Sequence, residues 1–259
     1  MNSNDCELTY VRWRSVRDPM PASVNSADSF ETSSLAPRYA KLLHRLEQNV
    51  AIEHQLIEIA GQSYPWTRVV DPDRLLEQAL QSGVDGCPEH DPFWAATWRA
   101  AIGLERFLQR QKDLNETEVL ELGGGSGRAG IAAAILGAKV TITDASRLAL
   151  MICRFNARSL ENRIRVRMLN WQSTAGCGLR FPIIIGSDIV YNPSLYPILE
   201  PCLRRCLADG GVVWLSEPQR HTGDRFQKWI RTAGWNCESS LVDLEDGERP
   251  IRIFECRLL

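Results

Sequence analysis

VLELGGGSGRAG, residues 119–130, decides the fold of this chain. An apolar run ends in an acid, Glu121, and glycines follow at 123, 124, 125, 127 and 130 before an alanine-rich stretch with helical character. A strand that runs into a glycine bend and then a helix is the start of a βα unit whose turn lets backbone pass close to a ligand.

Strand and helix signals alternate from 91 onward. FWAATWRAAIGLERFL (93–108) reads as one amphipathic helix, TEVLELG as a buried strand, and RAGIAAAIL as a helix closed by Gly137. AKVTITD is a strand, SRLALMICRFNARSL a helix, IRVRML a strand and FPIIIGSD a strongly apolar strand. A helix follows from about 194 to 207, shortened or kinked by Pro197 and Pro201; then come the strand GGVVWLSE and the helix DRFQKWIRTAG, ended by Gly234. WNCESSLVDL and RPIRIFECRL form a closing antiparallel pair around Asp246-Gly247. The expected fold class is α/β: a seven-stranded, mostly parallel sheet with helices on both faces and a terminal antiparallel hairpin.

Residues 1–38 include the serine-rich polar stretch SVNSADSFETSS and read as a disordered tail. Residues 39–90 read as an N-terminal extension of a helix (39–48), a hairpin turning at Gly61-Gln62 and a second helix starting at Asp71-Pro72. Residues 91–259 form the main α/β domain.

The chain of 259 residues is 44% hydrophobic and carries a formal charge of −2 with acids and bases well mixed. That balance disfavours nucleic acid and anionic membrane as partners. Eight scattered cysteines without a Cys-x-x-Cys pair read as reduced, buried thiols, and no metal-ligand set is expected. No apolar run reaches about 18 residues, and MNSNDCELTYVRWR has no signal-peptide apolar region, so a cytoplasmic location is expected.

Two ligands fit the bend. Gly125, Gly127 and Gly130 satisfy G-x-G-x-x-G, with Asp144 about 20 residues on, as a dinucleotide site requires. Read instead as Glu121-x-Gly123-x-Gly125-x-Gly127, the stretch sets an acid ahead of the glycines. A carboxylate repels a diphosphate and attracts a sulfonium, so Glu121 favours S-adenosylmethionine over NAD. With either ligand, Asp144 at the tip of the next strand is placed to accept from ribose hydroxyls. Ser187, Asp188 and Tyr191 follow the most apolar strand and open at the same edge.

PFWAATW, VLELGGGSG, TITDAS, Asn170-Trp171, GSDIVYNP and LSEPQR, spread over residues 92–220, resemble the seven-β-strand methyltransferases, and methyltransferase family 16 in particular. The resemblance implies S-adenosylmethionine as cofactor and a protein lysine as methyl acceptor. It implies that Trp98 lies beside the cofactor and that Glu121, Gly123, Gly125 and Gly127 form the first motif. Asp144 is then the ribose-binding acid, Asn170 and Trp171 flank the adenine, and Asp188 with Tyr191 lies near the target nitrogen. The chain departs from many relatives at Arg99 and Asn170.

Methyl transfer from a sulfonium is an in-line displacement that demands alignment more than acid–base groups. A free lysine, with a pKa near 10.4, is neutral to roughly 0.1% or less at pH 7. Asp188 therefore reads as the group that attracts and orients an incoming ammonium, and Tyr191 as a hydrogen-bonding group offering its ring face to the cation. The competing structural readings make Asp188 a helix N-cap ahead of Pro193 and put Trp94 and Trp98 on one helical face as core. Glu217, Arg220 and His221 are candidates to line the acceptor channel. The expected partner is a protein substrate or a small molecule, with the enzyme a monomer. The alternatives are a small-molecule N- or O-methyltransferase, an NAD-binding oxidoreductase and a non-catalytic cofactor-binding module.

Overall fold

The computed structural model describes residues 35–81, 92–111, 114–172 and 178–259. Most of the expected tail, together with Cys6, Cys87 and Cys177, lies outside the described residues. The order of elements is α1 (Pro37–Glu47), β1 (Ile52–Ile59), β2 (Gln62–Val69), α2 (Pro72–Gln81), α3 (Arg99–Gln109), β3 (Glu118–Leu122), α4 (Arg128–Ile135), β4 (Lys139–Asp144), α5 (Arg147–Asn156), β5 (Ile164–Met168), β6 (Phe181–Ser187), α6 (Tyr196–Cys206), β7 (Leu207–Glu217), α7 (His221–Thr232), β8 (Trp235–Val242) and β9 (Ile251–Leu258).

Strands β3 to β9 form one seven-stranded sheet in the order β5-β4-β3-β6-β7-β9-β8. The pairs from β5 to β7 are parallel, while β9 runs antiparallel to both β7 and β8. The chain winds outward from β3 through β4 to β5 and then returns to β6 on the other side of β3. That reversal makes the carboxyl ends of β3 and β6 the topological switch point, the place where open α/β sheets form a ligand crevice. The central strands earn their place by composition: Val119, Leu120, Leu122, Ile142, Ile184 and Ile185 are all buried, as strands covered by helices on both faces must be.

The helix expected over 93–108 is broken. A single 3₁₀ turn, Pro92–Ala95, is followed by an extended Trp98 (φ −88°, ψ 141°), which precedes α3 as its N-cap. The indole Nε1–H of Trp98 donates to the Phe93 carbonyl at 2.9 Å, capturing an acceptor that a continuous helix would have used for its own ladder. Trp94 and Trp98 therefore do not share a helical face. Of the two prolines expected to disturb the helix after Asn192, Pro197 falls in the first turn of α6, where its missing N–H has no partner to lose, and Pro201 sits inside it.

The β1–β2 hairpin forms its own two-stranded sheet and is fastened to α3, α4 and α5. Arg128 pairs with Glu105 at 2.8 Å, both side chains nearly buried, and its guanidinium also donates to the Glu58 carbonyl at 3.0 Å. Asn156 accepts from Thr67 N–H at 2.9 Å and donates to the carbonyls of Thr67 and Ser126. One side chain thus ties the hairpin to the glycine bend.

Candidate active site

The bend between β3 and α4 is held in left-handed backbone conformations at Gly123, Gly125 and Gly127, with φ of 62°, 54° and 94°. At Gly125 a side chain would be strained twice, by its φ and because a Cβ would lie 3.3 Å from the Trp94 carbonyl oxygen. The 3₁₀ turn carrying Trp94 therefore rests directly on the bend. Asp144, ending β4, clasps the bend from the other side. Its Oδ2 accepts from Gly125 N–H at 2.9 Å and its Oδ1 from Ser146 N–H at 2.8 Å. Both contacts leave lone pairs on the carboxylate for further donors.

Glu121 turns inward. It is fully buried, its Oε2 accepting from Gly130 N–H at 3.0 Å, while Oε1 has no hydrogen-bond partner among the described residues. Burial pushes its carboxyl up to about 8; the Gly130 N–H opposes this and the charge of Asp144 adds to it. The carboxyl lies beneath the bend, where burial favours its neutral form. Gly130 is small because of it, since a Cβ there would lie 2.3 Å from Glu121 Oε2.

The turn after β6 closes the opposite wall. A Cβ at Gly123 would lie 2.8 Å from Ile189 Cγ2 and 3.5 Å from the Trp171 ring, so bend, Trp171 and the segment after Ser187 converge. Trp171 packs against the apolar cluster under β6 and α6. Asn170 closes a local turn, its Oδ1 accepting from Gln172 N–H at 3.0 Å. Ser187, the last residue of β6, pairs in register with Ser216 of β7.

Asp188 has a φ of 56°, and its N–H donates to the Ser216 carbonyl at 2.8 Å. Aspartate is one of the few non-glycine residues that visits this conformation readily. Both carboxylate oxygens are held by Arg220, Oδ1 by Nη1 and Oδ2 by Nη2 at 2.8 Å. Asp188 is not the helix cap of the structural reading; Asn192 caps the 3₁₀ turn Pro193–Leu195 through its Oδ1. Arg220 is positioned by Glu217, which accepts from its backbone N–H at 2.7 Å, and burial raises the Glu217 carboxyl. His221 lies exposed at the start of α7.

Tyr191 and Trp98 meet through a residue not singled out from the sequence. Phe93 stacks edge-on with Tyr191 at 5.4 Å and with Trp98 at 6.1 Å between ring centroids. Its role was hidden because 93–108 matched a continuous helical period, which gave Phe93 no reason to point at the strand ends. From the sequence Arg220 reads only as channel lining. The signal for its partner was the adjacency of β6 and β7, whose carboxyl ends bring residues 188 and 220 together.

A family model described as lysine methyltransferase matches residues 73–232. Over 136 residues, half of this chain, the sequence is 36% identical to protein N-lysine methyltransferase METTL21A of Xenopus tropicalis. Over 155 residues, 53% of this chain, it is 40% identical to the electron transfer flavoprotein beta subunit lysine methyltransferase homolog of Caenorhabditis elegans. The chain spans 63% of the length of each of these relatives. Among solved structures, glycopeptide N-methyltransferase MtfA complexed with S-adenosyl-L-methionine superimposes with a TM-score of 0.55 at 15% identity, covering 62% of this chain and 94% of that one. That likeness carries the fold.

Proposed function

The chain belongs to the lysine methyltransferase family, and from that premise we propose that it transfers a methyl group from S-adenosylmethionine to the side-chain amine of a lysine in another protein. The observation that carries the reading is the meeting of the glycine bend with the turn after β6, since Gly123 touches Ile189, the neighbour of Asp188. A ligand on the bend and an amine at Asp188 then share one crevice.

S-adenosylmethionine supplies an electrophilic methyl carbon on a sulfonium. In this reading Gly123, Gly125 and Gly127 bring backbone against it, Asp144 accepts from ribose hydroxyls, and Asn170 and Trp171 flank the adenine. Ser187 and Trp98 line the same crevice, and Glu121 answers the ligand's positive charge from below by giving up its proton.

Arg220 changes the part played by Asp188. A lone carboxylate would attract the substrate ammonium but hold it protonated, and a protonated amine has no electron pair to attack with. Arg220 cancels that field, and its own positive charge beside the amine favours the neutral form. Asp188 retains lone pairs to orient the nitrogen, while Tyr191, braced by Phe93, supplies a ring face and a hydroxyl.

The five described cysteines are all buried, as thiols packed into a core are, and we take the setting to be cytoplasmic and the enzyme to act as a monomer. Among the described residues no helix is long and apolar enough to cross a membrane.

Incubating a cell lysate with S-adenosylmethionine labelled in its methyl group tests the proposal. The expected result is an enzyme-dependent labelled protein band that yields methyl-lysine on hydrolysis. Label confined to metabolites would assign a small-molecule acceptor, and no incorporation would overturn the reading.

A further inference from the structure

Away from the crevice, α1, α5 and β5 border a cavity of about 470 Å³. It lies along β5, the last strand on that side of the sheet. Arg38, Lys41 and Arg45 of α1 and Arg154 of α5 line it, against one carboxylate, Glu161. Positions 38, 41 and 45 are three and four residues apart, so their side chains stack along one helical face.

Glu161 is already engaged by Arg38 and by the Tyr39 hydroxyl, which donates to it at 2.5 Å. Arg154 donates to the Val166 carbonyl at 3.2 Å. Lys41 and Arg45 are exposed and form no ion pair with any described residue. Four cations against one acid leave three positive charges concentrated here, on a chain whose total is −2. Between the cations the lining is apolar, from Leu42, Ile164 and Val166 together with the Tyr39 ring.

We propose that this groove docks an acidic peptide segment of a partner protein, with its carboxylates on Lys41 and Arg45 and its apolar side chains on Leu42, Ile164 and Val166. The surface fits this occupant better than RNA, because single strands are bound by long basic tracks interleaved with stacking rings. Here the lining cations sit on two turns of one helix with a single arginine opposite, and the one ring in the lining, Tyr39, is already covered by Arg38 and tied to Glu161. The charges would speed encounter and select for acidic partners, and the apolar lining would add affinity that survives screening. The inference stands apart from methyl transfer, since none of these residues belongs to the crevice.

The test is fluorescence anisotropy on the full chain with a labelled peptide of about ten alternating Glu and Leu residues, a Lys/Leu peptide and a single-stranded RNA of equal charge serving as controls. Saturable binding of the acidic peptide is expected, weakening about tenfold in the Lys41→Glu/Arg45→Glu variant. Raising salt from about 0.05 to about 0.5 M should weaken it in the wild type. The neutral pair Lys41→Gln/Arg45→Gln gives the same readout should the charge reversal perturb folding. No saturable binding, binding unchanged in both variants, or RNA bound as tightly and lost with the same substitutions would each overturn the proposal. S-adenosylhomocysteine binding is followed in parallel; its loss in wild type would count against the methyl-transfer reading and leave this one untouched.

Discussion

Arg220 grips Asp188 through both arms of its guanidinium, joining the segments that follow β6 and β7 across 32 positions of sequence. The two side chains are 18% and 7% exposed, so breaking the pair leaves a charge with little water to turn to. Arg220→Ala should destabilise the fold by about 2 kcal/mol, and the Asp188→Asn/Arg220→Ala double variant should recover part of the loss. Urea unfolding of the four proteins in the cycle checks this; strictly additive losses would mean the pair contributes no coupling.

Turnover should separate from binding at the same residue. Asp188→Asn tolerates the left-handed backbone, keeps S-adenosylhomocysteine binding and is expected to lower methyl transfer at least about tenfold, an effect worth about 1.4 kcal/mol in the transition state. Asp188→Ala should add a loss of stability, because alanine lacks the local hydrogen bonding that eases φ of 56°. Equal turnover in wild type and Asp188→Asn would remove Asp188 from the chemistry.

Glu121 predicts a pH dependence with a definite sign. Its carboxyl, about 8 when folded, returns to the ordinary range near 4.5 on unfolding. Between those values the folded chain binds the extra proton, so stability from this group is complete below about pH 4.5 and declines as pH rises to about 8. Thermal melts should show a flatter pH dependence over this interval for Glu121→Gln than for wild type. Binding runs the other way: a sulfonium favours the anion, so affinity for S-adenosylmethionine should rise with pH toward 8 more steeply than affinity for S-adenosylhomocysteine. Parallel pH profiles for the two ligands would show that Glu121 does not sense the sulfonium.

Two glycines nearby should fail differently. Gly130→Ala forces a Cβ to 2.3 Å from Glu121 and 2.7 Å from Ile142, inside the core, and should cost about 1–3 kcal/mol of stability. Gly125→Ala lies at the surface of the bend, where its φ of 54° and the Trp94 carbonyl work against it, so ligand affinity should fall further than melting temperature. Chemical denaturation and calorimetry on both variants distinguish the two modes.

Much of this architecture is readable along the chain, because each βα unit carries its own period. Val119–Leu122, Val140–Ile142 and Ile183–Ile185 are short runs that are apolar except for Glu121 and Thr141, and the helical stretches between them have nowhere to go except onto the faces of a parallel sheet. The break at Trp98 escaped that reading because it depends on one indole hydrogen bond to Phe93, whereas Trp94 and Trp98 at a spacing of four mimic a helical face. The inward turn of Glu121 escaped it because residue type does not say on which side of the bend a strand-end acid will lie. The hold of Arg220 on Asp188 is a contact between the ends of neighbouring strands, which depends on sheet order and not on local pattern.

The central claim is that the glycine bend and Asp144 bind S-adenosylmethionine and its demethylated product. Isothermal titration of S-adenosylhomocysteine into the wild-type chain and into Asp144→Ala, which removes the acceptor of Gly125 N–H and Ser146 N–H, addresses it most directly. One saturable site in the wild type and none in the variant is the predicted result. A well-folded wild-type chain that gives no heat of binding, or a variant that binds equally well, would contradict the account.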